Sequence, residues 1–378
     1  MTTYKRLGDY IREVNVRNRE LKVTNLLGVS ISKEFMPSIA NTIGTDMSTY
    51  KIVERGQFAY GPVTSRNGDK VSIALLDGYD DAIISQAYTV FEVIDHEQLL
   101  PEYLMMWFRR PEFDRYARFH SHGSAREIFD WDELCDVMLP IPSITRQREI
   151  VSEYETLTNR IRLNNQMIQH LEATAQALYR KMFVEGVDKE RLPEGWRKES
   201  IFDIADVIYG YPFDSELFCN DSNLTPIIRI RDLLDNRTDT YTSECVDNKY
   251  KINNGDILIG MDGVFHMTIW SGELAFQNQR IVKIIPRTDR FIPTYQIFYS
   301  ILKPVKELET SIEGTTVAHL SDKDMKKMSV IVASEDLQKN IYVVLESVKR
   351  NVIVYKKEIL KLTELQSLLL AKMGKLKQ

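Results

Sequence analysis

Two stretches of the chain carry an unbroken heptad rhythm, and no other feature of its 378 residues constrains the fold as strongly. In the first, Ile150, Tyr154, Leu157, Ile161, Asn164, Ile168, Leu171, Ala175, Leu178 and Met182 follow one another in alternating steps of four and three. The second does the same through Ile341, Leu345, Val348, Val352, Tyr355, Ile359, Leu362, Gln366, Leu369 and Met373. Each member of the second lies 191 residues beyond its counterpart, as Ile341 does beyond Ile150. Apolar seam positions sustained this long specify helices that pair side by side as a coiled coil. The alternative is a core helix of a larger bundle. Each seam has one polar member, Asn164 and Gln366.

The same offset runs upstream of both helices. Gly123-Ser124-Ala125 matches Gly314-Thr315-Thr316, Phe129 matches Leu320, and Val137-Met138-Leu139 matches Met328-Ser329-Val330. Further back the offset drifts by a few residues, as loop insertions and deletions would make it. Pro101-Glu102-Tyr103 pairs with Pro293-Thr294-Tyr295, Ser85-Gln86 with Asn278-Gln279, and Leu7-Gly8-Asp9 with Ile201-Phe202-Asp203. The chain therefore reads as a tandem duplication of a globular module followed by a long helix. Strand-like runs come first in each module: Lys22 to Ser30, Val71 to Leu75 and Tyr88 to Val93, then Ile227 to Ile230, Ile257 to Ile259 and Ile281 to Ile285. A helix opened by proline follows, near Pro101 to Arg109 and Pro293 to Leu302. The pattern predicts mixed α+β modules, with Glu185 to Trp196 as a charged linker rich in Gly and Pro.

Charge argues against a general nucleic-acid binder. The chain holds 49 basic and 54 acidic residues, and the segments 1–142 and 187–333 are each net −5. Any contact with DNA must come from local loops rather than from an overall field. Catalytic signatures are missing. There is no Asn-Pro-Pro-Tyr/Phe element, no glycine-rich nucleotide loop after a strand and no Walker A motif. His120 and His122 lack further metal-ligand partners at a suitable spacing and read as polar loop residues. Cys135, Cys219 and Cys245 are scattered and odd in number, which fits a reducing compartment, and Cys135 reads as a small buried hydrophobe. No cofactor is expected. No apolar run approaches the roughly 20 residues of a membrane span, and the polar start lacks a signal core, so the expected location is cytoplasmic.

The candidate DNA contacts lie in loops. Arg109, Arg110, Arg115, Arg118 and Arg126 form a basic stretch that leads into Gly123-Ser124-Ala125-Arg126, followed by Asp130 and Glu133 at capping-box spacing. Thr315 and Thr316 precede Ser321 and Asp324 in the same arrangement. A glycine, small hydroxyls and amide N–H groups near a helix start suit a phosphate, although a capped helix after a tight loop has the same sequence. For reading bases, the first module offers Tyr60, Thr64, Ser65, Arg66, Asn67, Lys70 and Gln86, with Arg66-Asn67-Gly68-Asp69 equally suited to a hairpin turn. The second offers Tyr209, Tyr211, Asp262, His266, Asn278, Gln279 and Arg280. Arg pairs with guanine, and Asn or Gln with adenine, through two hydrogen bonds each.

Two variable modules alternating with two matching helices resemble the specificity subunit of type I restriction–modification systems. Leu192-Pro193-Glu194-Gly195-Trp196, Gly255-Asp256-Ile257-Leu258-Ile259, Asn278-Gln279-Arg280 and Gly314-Thr315-Thr316 running into His319-Leu320-Ser321 are similar to that family's sequences. The first module departs in two places. It begins directly at Tyr4-Lys5-Arg6-Leu7-Gly8-Asp9, and Ser85-Gln86-Ala87 replaces Asn278-Gln279-Arg280. The resemblance implies an α+β chain in which two α/β target-recognition domains are separated by two long antiparallel coiled-coil helices. The domains would be residues 1–142, the central helix 143–186, the second domain 187–333 and the C-terminal helix 334–378. Each domain would read one half of a split target in double-stranded DNA. The helices would set the gap and dock two adenine-N6 methyltransferase subunits, restriction subunits would join for cleavage, and the chain would carry no catalytic centre. In the helix seam, Leu157, Ile161, Ile168 and Leu171 are expected to pack against Leu345, Val352, Ile359 and Leu362. The competing readings are a self-contained enzyme and a coiled-coil protein-interaction scaffold without sequence-specific DNA binding.

Overall fold

The computed structural model describes residues 4–38, 44–64, 68, 70–123, 127–310 and 318–374. The chain forms two compact units, residues 1–160 with 362–378, and residues 161–361. Each is built on a four-stranded antiparallel sheet. In the first unit the strand order is Ile11–Val14, Thr89–Val93, Phe58–Tyr60, Ile73–Leu75. In the second it is Ala205–Tyr209, Ile281–Pro286, Ile257–Gly260, Met267–Ile269. The registers repeat as well as the order. Ile11 faces Val93 as Ala205 faces Pro286, and Phe58 faces Phe91 as Ile257 faces Ile284. Among the described residues, and apart from one strand pair at the ends of each module, the second unit adds a five-stranded sheet and the first adds two two-stranded pairs.

Both modules close their own ends. Tyr4–Arg6 pairs antiparallel with Met138–Pro140, and Arg197–Ser200 with Ser329–Val332. Gly195 sits in the left-handed region at φ +78°, and a Cβ there would touch Ser334 at 3.4 Å, so the turn ahead of Trp196 favours glycine. The Trp196 ring lies 5.7 Å from that of Phe183, so the expected linker ends in a packed contact.

Two expectations need correction. Only Leu27–Val29 of the run Lys22 to Ser30 is strand. The buried Asn18 explains it: its side chain donates to the Val23 carbonyl at 2.8 Å and accepts from the Val23 N–H at 3.2 Å, taking the place of a strand neighbour. The helix expected to end at Leu302 continues as Thr294–Thr310 with Pro304 inside it. In the first module Pro111 opens a separate helix, Pro111–Phe119, after Pro101–Phe108.

The long helices are Ile144–Phe183 and Glu335–Met373. In the first unit, Ile150 and Tyr154 share a core with Leu370 and Met373, while a turn or so along Gln366 donates to Thr158 Oγ1 at 2.7 Å. Rising numbers in one helix meet falling numbers in the other, which is the antiparallel sense. In the second unit, Ile168, Ala175, Ile341, Leu345, Val348 and Val352 form a buried cluster, with Leu171 and Ile359 packed on it and Lys356 paired to Glu172 at 3.3 Å. Leu157, Ile161 and Leu362 are half-buried.

A glutamine anchors each long helix to its module. Gln147 is buried, accepts from Leu100 N–H at 2.9 Å, and donates to the carbonyls of Gln98 (2.8 Å) and Pro142 (2.9 Å). Gln338 is buried likewise, accepts from Ala333 N–H at 3.0 Å, and donates to the Phe291 carbonyl at 3.1 Å and to Gln296 Oε1 at 2.7 Å. The two lie 191 residues apart, so the anchor was duplicated with everything else.

Asn164 is 2% exposed, and its side-chain amide nitrogen has no hydrogen-bond partner among the described residues. An unpaired buried donor costs about 1–3 kcal/mol, the kind of cost accepted for fixing register at a coiled-coil seam. Asn164→Leu is therefore expected to raise stability by about 1–2 kcal/mol, read as a higher urea midpoint at constant slope. A lower midpoint would mean that the amide is paired in solution.

Candidate nucleic-acid interface

In the second module, three neighbouring backbone segments bring Asp262, Arg280 and His319 together. Leu320 N–H donates to the Met261 carbonyl at 2.8 Å, Gly263 N–H to that of Ala318 at 2.9 Å, and Met261 N–H to that of Arg280 at 2.9 Å. On this frame Asp262 Oδ1 lies 2.6 Å from His319 Nδ1, and Asp262 Oδ2 lies 3.2 Å from Arg280 Nε. An ionised carboxylate only accepts, so the contact puts the proton of His319 on Nδ1. The arginine and histidine side chains are 55% and 49% exposed, against 29% for the aspartate that holds them.

The other candidates of this module surround that triad in sequence. Asn278 forms a parallel bridge with Tyr211, and Asn278 N–H donates to the Ile228 carbonyl at 3.0 Å. The approach is so close that a Cβ on Gly210 would fall 1.9 Å from the Asn278 carbonyl oxygen. Tyr211 packs against Phe213 and Tyr250, with centroids at 5.0 and 5.3 Å. Gln279 is exposed, and His266 is half-buried in the 261–266 loop. Tyr209 donates to Asp322 at 2.9 Å; burial and that carboxylate raise its pKa, which keeps it a neutral donor.

In the first module the structure corrects two base-reading candidates. Tyr60 is 1% exposed within the sheet, with its ring 6.2 Å from Phe91, so it is a core residue. Thr64 is also buried, with its hydroxyl bonded to Ser121 at 2.9 Å. Lys70 and Gln86 are exposed, and Gln86 accepts from Arg17 at 3.5 Å. Ser65, Arg66, Asn67, Ser124, Arg126, Thr315 and Thr316 lie outside the described residues.

The basic stretch is largely absorbed by internal contacts. Arg110 is buried with its guanidinium 4.1 Å from the Trp107 ring centre, Arg115 pairs with Glu112 at 3.4 Å, and Arg118 pairs with Glu127. The capping spacing has two outcomes. Ser321 and Asp324 form the reciprocal box. Asp130 caps the Glu133 N–H at 3.0 Å, but the Glu133 carboxylate faces His120 (3.0 Å) and His122 (3.3 Å). Among the described residues no group of three or more His, Cys, Asp or Glu could hold a metal ion, and no helix is long and apolar enough to cross a membrane.

Sequence reasoning had not put His319 forward as a contact. Its signal was positional: it immediately precedes Leu320, which lies 191 residues beyond Phe129, so its counterpart is Ile128.

Comparison with known proteins points to one family. Residues 193–364 match the family model described as the type I restriction modification DNA specificity domain. A 134-residue stretch is 34% identical to the type I restriction enzyme EcoBI specificity subunit of Escherichia coli, covering 35% of this chain and 28% of that one. The HindI specificity subunit of Haemophilus influenzae is 20% identical across 97% of both chains. The fold is similar to that of the type I restriction–modification S subunit from M. genitalium, with TM-score 0.60 and 15% identity over 98% of this chain and 96% of that one. The match takes in the second module and most of the helix that follows it, as far as residue 364. The chain as a whole is similar to specificity subunits of type I restriction–modification systems.

Proposed function

We propose that this chain is the non-catalytic DNA-reading subunit of a methyltransferase and endonuclease complex, with each module reading one half of a split target. The observation that carries the reading is one frame built twice with different exposed chemistry. In the first module Phe129 N–H donates to the Pro62 carbonyl at 2.9 Å and Thr64 N–H to that of Glu127 at 3.0 Å, the pattern of Leu320 with Met261 and Gly263 with Ala318. The bridge pair on that frame is Val63 with Ile128 in one module and Asp262 with His319 in the other. A constant scaffold with changed side chains suits two recognition domains of different specificity. Under this reading the working segments are 1–142, 143–186, 187–333 and 334–378, the helices set the gap between half-targets, and methyltransferase subunits dock on them. Leu365 and Leu368, 49% and 59% exposed beside Leu157 and Leu369, provide apolar surface on the helices for such a subunit.

Exchanging residues 1–142 for the matching module of a relative tests the reading. Methylated adenines of host DNA, mapped by modified-base sequencing, should show one half of the split motif changed and the other kept, because distant, independent sites add. A motif changed in both halves, or the absence of any split motif, would overturn it.

A further inference from the structure

We propose that Arg280 reads a guanine in the half-target of the second module, with Asp262 as the positioning residue that presents it. The inference rests on the reading above that this module binds DNA, and deepens it by naming a base and a residue. Asp262 Oδ2 engages Arg280 at Nε, 3.2 Å away. That leaves the Nη1–Nη2 edge of the guanidinium with no partner among the described residues, on a side chain that is 55% exposed. Two parallel donors on one rigid edge match the O6 and N7 acceptors that guanine alone presents together in the major groove.

Stability does not account for the arrangement. Exposed ion pairs contribute little to folding. Here the carboxylate is instead divided between two exposed groups, one oxygen facing Arg280 and the other His319. All three residues stand on backbone segments joined by main-chain hydrogen bonds of 2.8 to 2.9 Å, which holds the triad at the precision base reading requires.

The first module supplies an internal contrast. On the same frame Val63 and Ile128 replace Asp262 and His319, and Ser85-Gln86-Ala87 replaces Asn278-Gln279-Arg280. Ala87 stands where Arg280 does, so the first module has no guanidinium at this position. A guanine read by an arginine from this position therefore belongs to the second half-target alone.

The test is modified-base sequencing of host DNA in strains carrying the wild-type chain, Arg280→Ala, Asp262→Asn or, as a control for lost surface charge, Arg287→Ala, which removes an exposed pair with Asp206. The expected result for Arg280→Ala is a relaxed preference at one G·C position, in the half-target that survives exchange of residues 1–142. Discrimination there should fall by roughly ten- to a hundredfold. Asp262→Asn should weaken the same position less, and Arg287→Ala should leave the motif intact. A folding defect would lower methylation at all sites without changing base preference, so relaxation at a single position separates reading from structure. An unchanged motif in Arg280→Ala, or a second half-target without guanine, overturns the assignment while the split motif upholds DNA reading. A wild-type strain with no split motif overturns the underlying reading itself.

Discussion

Leu345→Asp is expected to unfold the second unit at a temperature lower by about 10 °C, the effect of roughly 4 kcal/mol on a domain of this size. Leu345 is fully buried among Ile168, Ala175, Val348 and Val352 on the seam between the long helices. A carboxylate there leaves water for a cluster of apolar side chains, and an uncompensated buried charge costs several kcal/mol. Val354→Asp, on the same helix at a position 60% exposed, is the control and should change stability by less than about 0.5 kcal/mol. Far-UV circular dichroism during heating reads both variants. Equal melting of the two would sink the seam assignment.

Gly210→Ala should be comparably damaging in the second module. The added methyl would sit 1.9 Å from the Asn278 carbonyl oxygen and 2.4 Å from its carbon, inside any van der Waals contact. Both obstructing atoms are backbone, so no side chain can swing aside. The strand would have to separate, breaking the bonds from Gly210 N–H to Ile281 (3.0 Å) and from Tyr211 N–H to Gln277 (3.1 Å). We expect a loss of roughly 3 kcal/mol, at the upper end for overpacking, and at least a tenfold fall in target methylation because Asn278 to Arg280 move with the strand. Wild-type melting together with wild-type methylation would contradict the close approach.

The helices and the duplication were legible because their signal is periodic and occurs twice. Heptad spacing is a local property of helix geometry, and the shared offset of Ile150 with Ile341 ties the copies together without any knowledge of tertiary structure. Tyr60 was misread for the opposite reason. Phe58, Ala59 and Tyr60 are all buried, so that strand lacks the alternation by which an outward face is recognised. Arginines clustered in sequence from Arg109 to Arg118 looked like one patch. Two helices fan them out, toward Trp107 for Arg110 and toward Glu127 for Arg118. The pairing of Asp262 with His319 spans 57 residues and follows only from the strand register. Gln147 and Gln338 were overlooked because a glutamine in a helix's first turn reads as surface, though their 191-residue spacing marked them as a repeated feature.

The strand pairs that close each module have a consequence for how its length can change. Arg197 lies opposite Val332 and Tyr4 opposite Pro140, so a module departs from the chain path and returns to it through a narrow neck. Residues gained or lost beyond the neck lengthen a loop that is already closed, and doubling such a loop costs only about 0.6 kcal/mol. The long helices do not register the change. Between the copies the offset is 194 at Ile11 and Ala205, 199 at Phe58 and Ile257, and 193 at Phe91 and Ile284, yet it returns to 191 at Ile150 and Ile341. Each module is in effect a cartridge whose contents can be rewritten, in sequence and in length, while the fitting that receives it stays the same.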